Sequence, residues 1–241
     1  DAISGLNSLL ENGCLSLNGI TRLYHGIVSR ETLNLLRGKT GTYFPGSIAD
    51  MSSAVGLVFF AKKHYYLNFP LIISGASGSS YAGKGAKKNN HTAFEHQPWF
   101  SKEPIEGWSD KLPKRIVGQT VWPDAAMGAL KKVGHADLIS KINFPIIYAE
   151  YLSEFPEFTE DFELFLQAEY SLNEIRTIRA QINAHKKKIF RSKLRYWAKV
   201  YSIFLGINKF LNSERLDANN VGDALCKLES SVENERYTGN S

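Results

Sequence analysis

The sequence has little cysteine, no long apolar run and no apolar leader. Two cysteines in 241 residues, Cys14 and Cys226, cannot build a disulfide framework and lack metal-ligand spacing, which favours a reducing compartment. The apolar stretches are far shorter than the roughly 20 residues that span a bilayer, so we expect no membrane-spanning helix. No charged and then apolar segment opens the chain, and we therefore expect no signal peptide.

Several catalytic signatures are missing too. The chain contains no C-x-x-C and no D-x-D motif, and no Ser-His-Asp or Cys-His arrangement that spacing supports. The first residue is Asp1 rather than methionine, so we expect a processed product or a piece of a longer protein. Apolar residues make up 43 % and charged residues 22 %, which excludes a disordered or collagen-like chain.

The charge is modest in total but segregated along the chain. The net charge is +5, yet residues 150–174 hold eight acids and no base, and residues 176–199 hold nine bases and no acid. Such a split predicts a polar helical region with a basic face that attracts the phosphate groups of lipids, nucleotides or nucleic acids. A solvated helix whose bases pair with the acidic block is the equally favoured alternative.

Residue types in the first part of the chain predict a mixed α/β domain. β-Branched and aromatic residues favour a strand over 20–29, and leucines favour a short helix over 30–37 that Gly38 stops. A mostly apolar helix is predicted over 50–62, with Asp50 at its N-cap. Further strand pieces are predicted at 64–69 and 71–74.

The last third of the chain has a helical pattern. Pro123 predicts the start of a helix that runs through Val133, and a second short helix is predicted over 137–142. Apolar residues at helical spacing predict one long helix or two over 160–211, with the charge split along it. We place a boundary near 150–158, which divides an α/β part, 1–150, from a helical extension, 151–241.

Two loop motifs leave both a chemical and a structural interpretation open. Residues 78–85 fit the G-x-x-x-x-G-K pattern of a P-loop, but Gly85 lacks the hydroxyl that would hold Mg²⁺. A lid that touches phosphate and a plain surface loop are the favoured alternatives. His91 and His96, with Glu95 between them, could join a metal site that other residues complete.

Asp50 and a group of aromatic residues are the other candidates. Asp50 follows a Gly/Pro turn and precedes an apolar helix, where a carboxylate acts either as a general base or as an N-cap. The aromatic side chains could stack on a sugar or a base, and core packing is the commoner use of such residues. They are Trp99, Phe100, Trp108 and Trp122.

An ordered set of motifs spans Arg22 to Ser80. It begins with Arg-Leu-Tyr-His-Gly-Ile-Val-Ser-Arg at 22–30 and continues with Gly-Thr-Tyr-Phe-Pro-Gly-Ser-Ile-Ala-Asp at 41–50, then Ser53-Ala54. It ends with Pro-Leu-Ile-Ile-Ser-Gly-Ala-Ser at 70–77, followed by Ser80. Together these motifs resemble the second half of family 2 glycosyltransferases with the GT-A fold. The sequence departs from the family pattern at Ala49, where relatives often have proline.

This resemblance implies a fold, a reaction and a set of site residues. The fold is α/β, the acceptor-side part of a GT-A nucleotide-diphospho-sugar transferase domain. Asp50 would be the catalytic base on the acceptor hydroxyl, and Gly46 and Ser47 would shape the acceptor turn. A divalent ion, Mg²⁺ or Mn²⁺, would assist departure of the diphosphate. The remaining residues would bind the donor phosphates and the metal: Gly75, Ser77 and Ser80 at the start of a loop, Lys84 as a phosphate contact and His96 as a metal ligand.

The resemblance also implies a function and a setting. We expect transfer of a sugar, with inversion, from a nucleotide-sugar to a hydroxyl of a glycan or lipid-linked acceptor. Only about twenty residues precede the matching segment, so we expect a fragment without the nucleotide-binding half and its D-x-D motif, inactive by itself. The basic stretch 186–210 is expected to hold a cytoplasmic enzyme against the inner face of a membrane.

The alternative function is a different class of protein. A non-enzymatic binding protein would use its basic helix to contact nucleic acid, a membrane or a partner, with the rest of the chain as scaffold. For the glycosyltransferase itself we do not expect a nucleic-acid partner. A P-loop nucleotide hydrolase is a third interpretation, which Gly85 argues against.

Overall fold

The described part of the chain is helical. The structure, a computed structural model, describes residues 2–65 and 107–204. Helices account for 68 % of these residues and none of them lies in a strand, so the predicted α/β fold with a partial GT-A domain is wrong for this part. The described residues fall into two compact units, 2–65 with 107–192 and 193–204, and the first contains the hydrophobic core.

Seven α-helices and two short 3-10 helices are found in the described ranges. The α-helices are α1 (Ala2–Glu11), α2 (Arg30–Thr40), α3 (Ala49–Val58), α4 (Gly118–Val133), α5 (Phe144–Glu154), α6 (Thr159–Glu169) and α7 (Leu172–Phe204). The 3-10 helices are Ala136–Lys141, where a short helix was expected over 137–142, and Pro156–Phe158.

The ends of α2 follow from capping chemistry. The Ser29 hydroxyl accepts a hydrogen bond from the backbone N–H of Thr32 at 3.2 Å, which satisfies a donor of the first turn. The helix ends at Gly41, whose φ of 77° is left-handed and whose N–H donates to the Arg37 carbonyl. The prediction that Gly38 stops the helix is wrong, because the left-handed cap lies three residues later.

The segment 20–29 does not form the predicted strand. The Thr21 hydroxyl donates to the Ala54 carbonyl at 2.8 Å, and Ile20 is fully buried. The Arg22 guanidinium donates to the Leu17 carbonyl at 3.2 and 3.1 Å. These contacts tie the segment into turns against α3, and β-branched residues serve here to fill the core. Of the strand pieces predicted at 64–69 and 71–74, residues 64 and 65 are irregular and the rest lie outside the described residues.

The centre of the first unit is α3, which packs across α4. Every residue from Met51 to Val58 is buried, as expected for a central helix whose residues on all sides are apolar or small. The helix is shorter than the predicted 50–62 and ends at Val58. Because Asp50 lies in its first turn, the apolar helix carries this carboxylate at one end.

The helix α4 begins earlier than predicted. It starts at Gly118, so Pro123 lies inside it rather than in its first turn. A proline at this place removes the hydrogen bond that residue 123 would donate to the carbonyl of Gln119. The helix continues because one face is packed in the core, where Val121, Ala125 and Leu130 are buried. Packing therefore outweighs the loss of one backbone hydrogen bond.

The acidic and basic blocks lie on α5, α6 and α7. The predicted helical region 160–211 forms two helices as far as residue 204, and residues 205–211 lie outside the described part. Arg179 of the basic block is paired with Glu163 of the acidic block, and Ile175 and Ile182 bury one side of α7 in the core. Within the described residues, no helix combines the length and apolar character needed to cross a membrane. The boundary near 150–158 stays a prediction.

Candidate functional site

An open cleft of about 570 Å³ brings several reactive side-chain types together. Asp50 lines it from the start of α3, Arg22 and His25 from the loop before α2, and Trp122 from α4. The volume lies in the range of about 300–1,000 Å³ that is typical of small-molecule sites. A carboxylate, a guanidinium, an imidazole and an indole thus surround one solvent-accessible space.

The loop side of the cleft is held by Arg22. Its guanidinium donates to the Leu17 carbonyl and, at 3.2 Å, to the Asn18 side-chain oxygen. His25, which is exposed, adopts a left-handed backbone with φ of 60°, an uncommon conformation for a residue other than glycine. The arginine therefore fixes the curvature of the loop, and the loop presents His25 and Tyr24 to the cleft.

Asp50 is a half-buried carboxylate in the first turn of α3. Ile48 is the N-cap and makes no side-chain capping bond, so the N-cap prediction for Asp50 is wrong. One carboxylate oxygen of Asp50 accepts a hydrogen bond from the Met51 N–H at 2.8 Å. A negative charge at this end of a helix is favoured by the unpaired N–H groups there. Its role as a general base stays a prediction.

Ser47 is anchored to a buried carboxylate that sequence reasoning missed. Its hydroxyl donates to Asp124 at 2.8 Å, and the Ser109 N–H donates to the other oxygen of Asp124 at 3.3 Å. Asp124 is only 7 % exposed. Burial raises the pKa of its carboxyl, and the two hydrogen bonds and Lys131 partly oppose the shift. The one available signal was an acid among the apolar residues of α4.

Replacing Asp124 by asparagine should remove a pH dependence of stability. Because the pKa is raised in the folded protein, the folded state binds more protons than the unfolded state above the unfolded pKa, about 3.9. Wild-type stability therefore falls as pH rises from there through the folded pKa. Asparagine can still bond both serine groups but carries no charge to desolvate.

Urea unfolding between pH 3.5 and 8 measures this effect as a difference between two proteins. The free energy of unfolding of Asp124→Asn minus that of the wild type should increase with pH and then level off. Asp137→Asn, on the exposed 3-10 helix, is the control and should give a flat difference. A flat difference for Asp124→Asn would mean that the Asp124 carboxyl titrates alike in both states.

Gly46 lies where the turn before α3 meets α4. A Cβ on Gly46 would stand 2.5 Å from the Ala125 carbonyl oxygen and 2.8 Å from the Ser52 Cβ. Neither neighbour is the flexible end of a long side chain, so the two elements would have to move apart. The same turn carries Ser47, and Asp50 follows it directly.

Gly46→Ala should therefore destabilise the protein by about 1–3 kcal/mol, the usual result of overpacking a close contact. Gly38→Ala is the matched control, because it is exposed in α2 with open space around the added methyl. That substitution should stabilise the protein by about 0.5–1 kcal/mol through helix propensity. Thermal and urea unfolding of both variants give the comparison, and equal effects of the same sign would contradict it.

The predicted donor-side residues all belong to a part of the chain that the structure does not describe. Gly75, Ser77, Ser80, Lys84 and His96 lie outside the described residues, and their roles stay predictions. The same holds for the P-loop-like segment 78–85, for His91 and Glu95, and for Trp99 and Phe100. Of the aromatic group, Trp108 is 9 % exposed and its indole N–H donates to the Leu112 carbonyl, which is core packing, whereas Trp122 lines the cleft.

The described part of the cleft does not fit a divalent metal ion. Asp50 is the one carboxylate that lines it, and Arg22 places a positive charge in the same space. Among the residues 2–65 and 107–204, no group of three His, Cys, Asp or Glu side chains could hold a metal. The predicted Mg²⁺ or Mn²⁺ stays a prediction, since its expected ligand His96 lies outside the described residues.

Cys14 does not supply a nucleophile. It is fully buried, and burial raises the pKa of its thiol to about 12, so it is neutral at physiological pH. Burial therefore disfavours the thiolate that a cysteine nucleophile needs. Cys226 lies outside the described residues.

Comparison with models of protein families, with characterised proteins and with solved structures finds no match to this chain. The site must therefore be interpreted from its own chemistry.

Proposed function

We propose that the chain supplies the acceptor side of an inverting glycosyltransferase that uses a nucleotide-sugar donor. The observation that supports this is the cleft in which Asp50 and Trp122 lie together. Saccharides are commonly bound by an aromatic face that covers the apolar side of the ring and by polar groups that bond its hydroxyls. The proposal depends on this cleft and on the ordered motifs around Asp50. The helical fold of the described residues does not support it.

The proposed chemistry needs one base at the acceptor. Asp50 takes the proton of the acceptor hydroxyl while that oxygen attacks the anomeric carbon of the donor. The bond from the anomeric carbon to the nucleoside diphosphate breaks, and the diphosphate leaves with the electron pair. Arg22 and His25 line the same cleft and can orient the acceptor or neutralise developing negative charge.

A second proposal concerns the basic helix. In α7, Phe190, Leu194 and Trp197 share one helical face at i, i+4 and i+7 and are 59–67 % exposed. Six bases and no acid lie between residues 186 and 198. A helix of this type can lie in the interface of an anionic membrane, with its aromatic residues inserted and its bases on the headgroups. We propose this contact for the described part of 186–210.

Turnover of the full-length gene product tests the main proposal. The enzyme is incubated with a panel of nucleotide-sugars, and release of nucleoside diphosphate is measured with and without a mixture of polyprenyl-linked and free saccharide acceptors. Acceptor-dependent release supports the proposal. If no donor is bound or consumed while the protein binds anionic vesicles or duplex DNA in a salt-dependent way, the non-enzymatic alternative replaces it.

A further inference from the structure

A second cleft adjoins the first and shares part of its wall. It measures about 350 Å³ and is lined by Gly118, Gln119, Trp122 and Glu150, with Leu15. Leu15 and Trp122 also line the cleft that contains Asp50. The two clefts are therefore adjacent, and one indole and one leucine side chain belong to the lining of both.

The lining of the second cleft is mostly apolar, and its two polar side chains, Gln119 and Glu150, suit an uncharged, hydroxyl-rich ligand. The Gln119 amide donates to the Glu154 carboxylate at 2.5 Å, which holds its side chain in place. Glu150, from α5, adds a carboxylate to the lining. Carboxylate and amide groups bond sugar hydroxyls, and an acidic lining disfavours a phosphate or another anion.

Trp122 lines both clefts. It is half-buried, so one part of the indole is held by the protein while another part faces the clefts. A single aromatic side chain that lines two adjoining clefts can stack against two consecutive rings of a linear ligand. The volume of the larger cleft is by itself sufficient for a small-molecule ligand. With the second cleft added, the two have room for a longer ligand.

We propose that these clefts are two subsites for a neutral oligosaccharide of at least two sugar units, with Trp122 as the platform between them. The terminal unit, which carries the attacking hydroxyl, occupies the cleft of Asp50. The preceding unit lies in the cleft of Gln119 and Glu150. This inference rests on the proposed function and deepens it, because it names the class of acceptor.

The test is saccharide binding by the full chain. The probe is an immobilised array of mono-, di- and trisaccharides of glucose, galactose, mannose, N-acetylglucosamine and N-acetylgalactosamine. For at least one sugar, the di- and trisaccharide should retain at least about tenfold more protein than the monosaccharide, a difference of about 1.4 kcal/mol. Glu150→Gln should reduce retention of the longer saccharides and leave that of the monosaccharide unchanged.

Two more variants separate recognition from folding. Trp122→Ala should abolish retention of all lengths, whereas Trp122→Phe should keep most of it by preserving an aromatic face. Glu157→Gln, an exposed acid outside both clefts, is the control and should bind like the wild type. Unfolding midpoints of all four variants confirm that they are folded.

Three outcomes would overturn the inference. The first is equal retention on mono- and trisaccharides. The second is a loss of retention in Glu150→Gln that is equally large for saccharides of every length, and the third is no retention on any saccharide. Equal retention leaves the proposed function intact, because it still shows an acceptor site. The proposed function fails separately, if the full-length gene product consumes no nucleotide-sugar in the presence of acceptor.

Discussion

Asp50→Asn in the full-length gene product should lower the rate of the proposed sugar transfer by about 10²–10⁴-fold, the usual contribution of a general base. Asparagine matches aspartate in shape and can still accept the hydrogen bond from the Met51 N–H, so α3 should start at the same place. It cannot take the proton from the acceptor hydroxyl. Donor binding should be nearly unchanged, because the proposed role of the carboxylate is at the acceptor.

The measurement pairs turnover with donor affinity. Transfer is followed as nucleoside diphosphate released in the presence of acceptor, and the donor dissociation constant is determined by calorimetry. Asp137→Asn, at a residue that does not line the cleft, is the matched control and should turn over like the wild type. Retained turnover in Asp50→Asn would remove this residue from the mechanism, and a parallel loss of donor affinity would assign it to donor binding instead.

Tyr148→Ala should destabilise the protein by about 3–5 kcal/mol, the cost of deleting a large buried aromatic side chain. Tyr148 is fully buried in α5, and its ring meets Phe162 edge-on at 5.2 Å and Phe165 at 6.0 Å between centroids. Its hydroxyl donates to the Lys111 carbonyl at 2.7 Å and lies 2.8 Å from the Tyr170 hydroxyl. Since it has one proton, Tyr170 is the donor in that second bond.

Tyr148→Phe separates the ring from the hydroxyl. It keeps the aromatic packing and leaves the Lys111 carbonyl without this donor, so the expected loss is about 1 kcal/mol. Tyr196→Ala, 64 % exposed on α7, is the surface control and should change the free energy of unfolding by at most about 0.5 kcal/mol. Urea unfolding gives all three values. A loss for Tyr148→Ala no larger than that of Tyr148→Phe would show that the core closes over the missing ring.

The candidate site was predictable only in its local part. A carboxylate at the start of a buried apolar helix, with a Gly/Pro turn before it, is a pattern of neighbouring residues, and this pattern singled out Asp50. Gly46 and Ser47 were expected only from the family resemblance. Asp124 was not predicted, because its hydrogen bond to Ser47 joins residues 77 positions apart. No periodicity or spacing rule connects two such positions; only the crossing of α3 and α4 does.

The strand predicted over 20–29 is an error of the opposite kind, because here a feature was predicted that the structure does not contain. β-Branched and aromatic residues favour strands mainly because they fit a half-buried, pleated surface. Ile20 and Thr21 are instead buried against the helix α3, where side-chain and turn contacts hold the backbone. Among the described residues there is no second strand to pair with, and a single segment gains nothing from an extended conformation without a partner.

The sequence by itself determined the local features of this protein: the helical periodicity of α6 and α7, the start of α2 at Arg30 after the Ser29 cap, the segregated charge and the position of Asp50 at the start of an apolar helix. These depend on hydrogen bonds and contacts within one or two turns, which the order of residues specifies directly. Only the tertiary structure decided that segment 20–29 forms turns, that Asp124 is buried against Ser47, and that Trp122 lines two clefts. Those outcomes depend on which distant surfaces meet, and burial there outweighs the small local preferences of the residues involved.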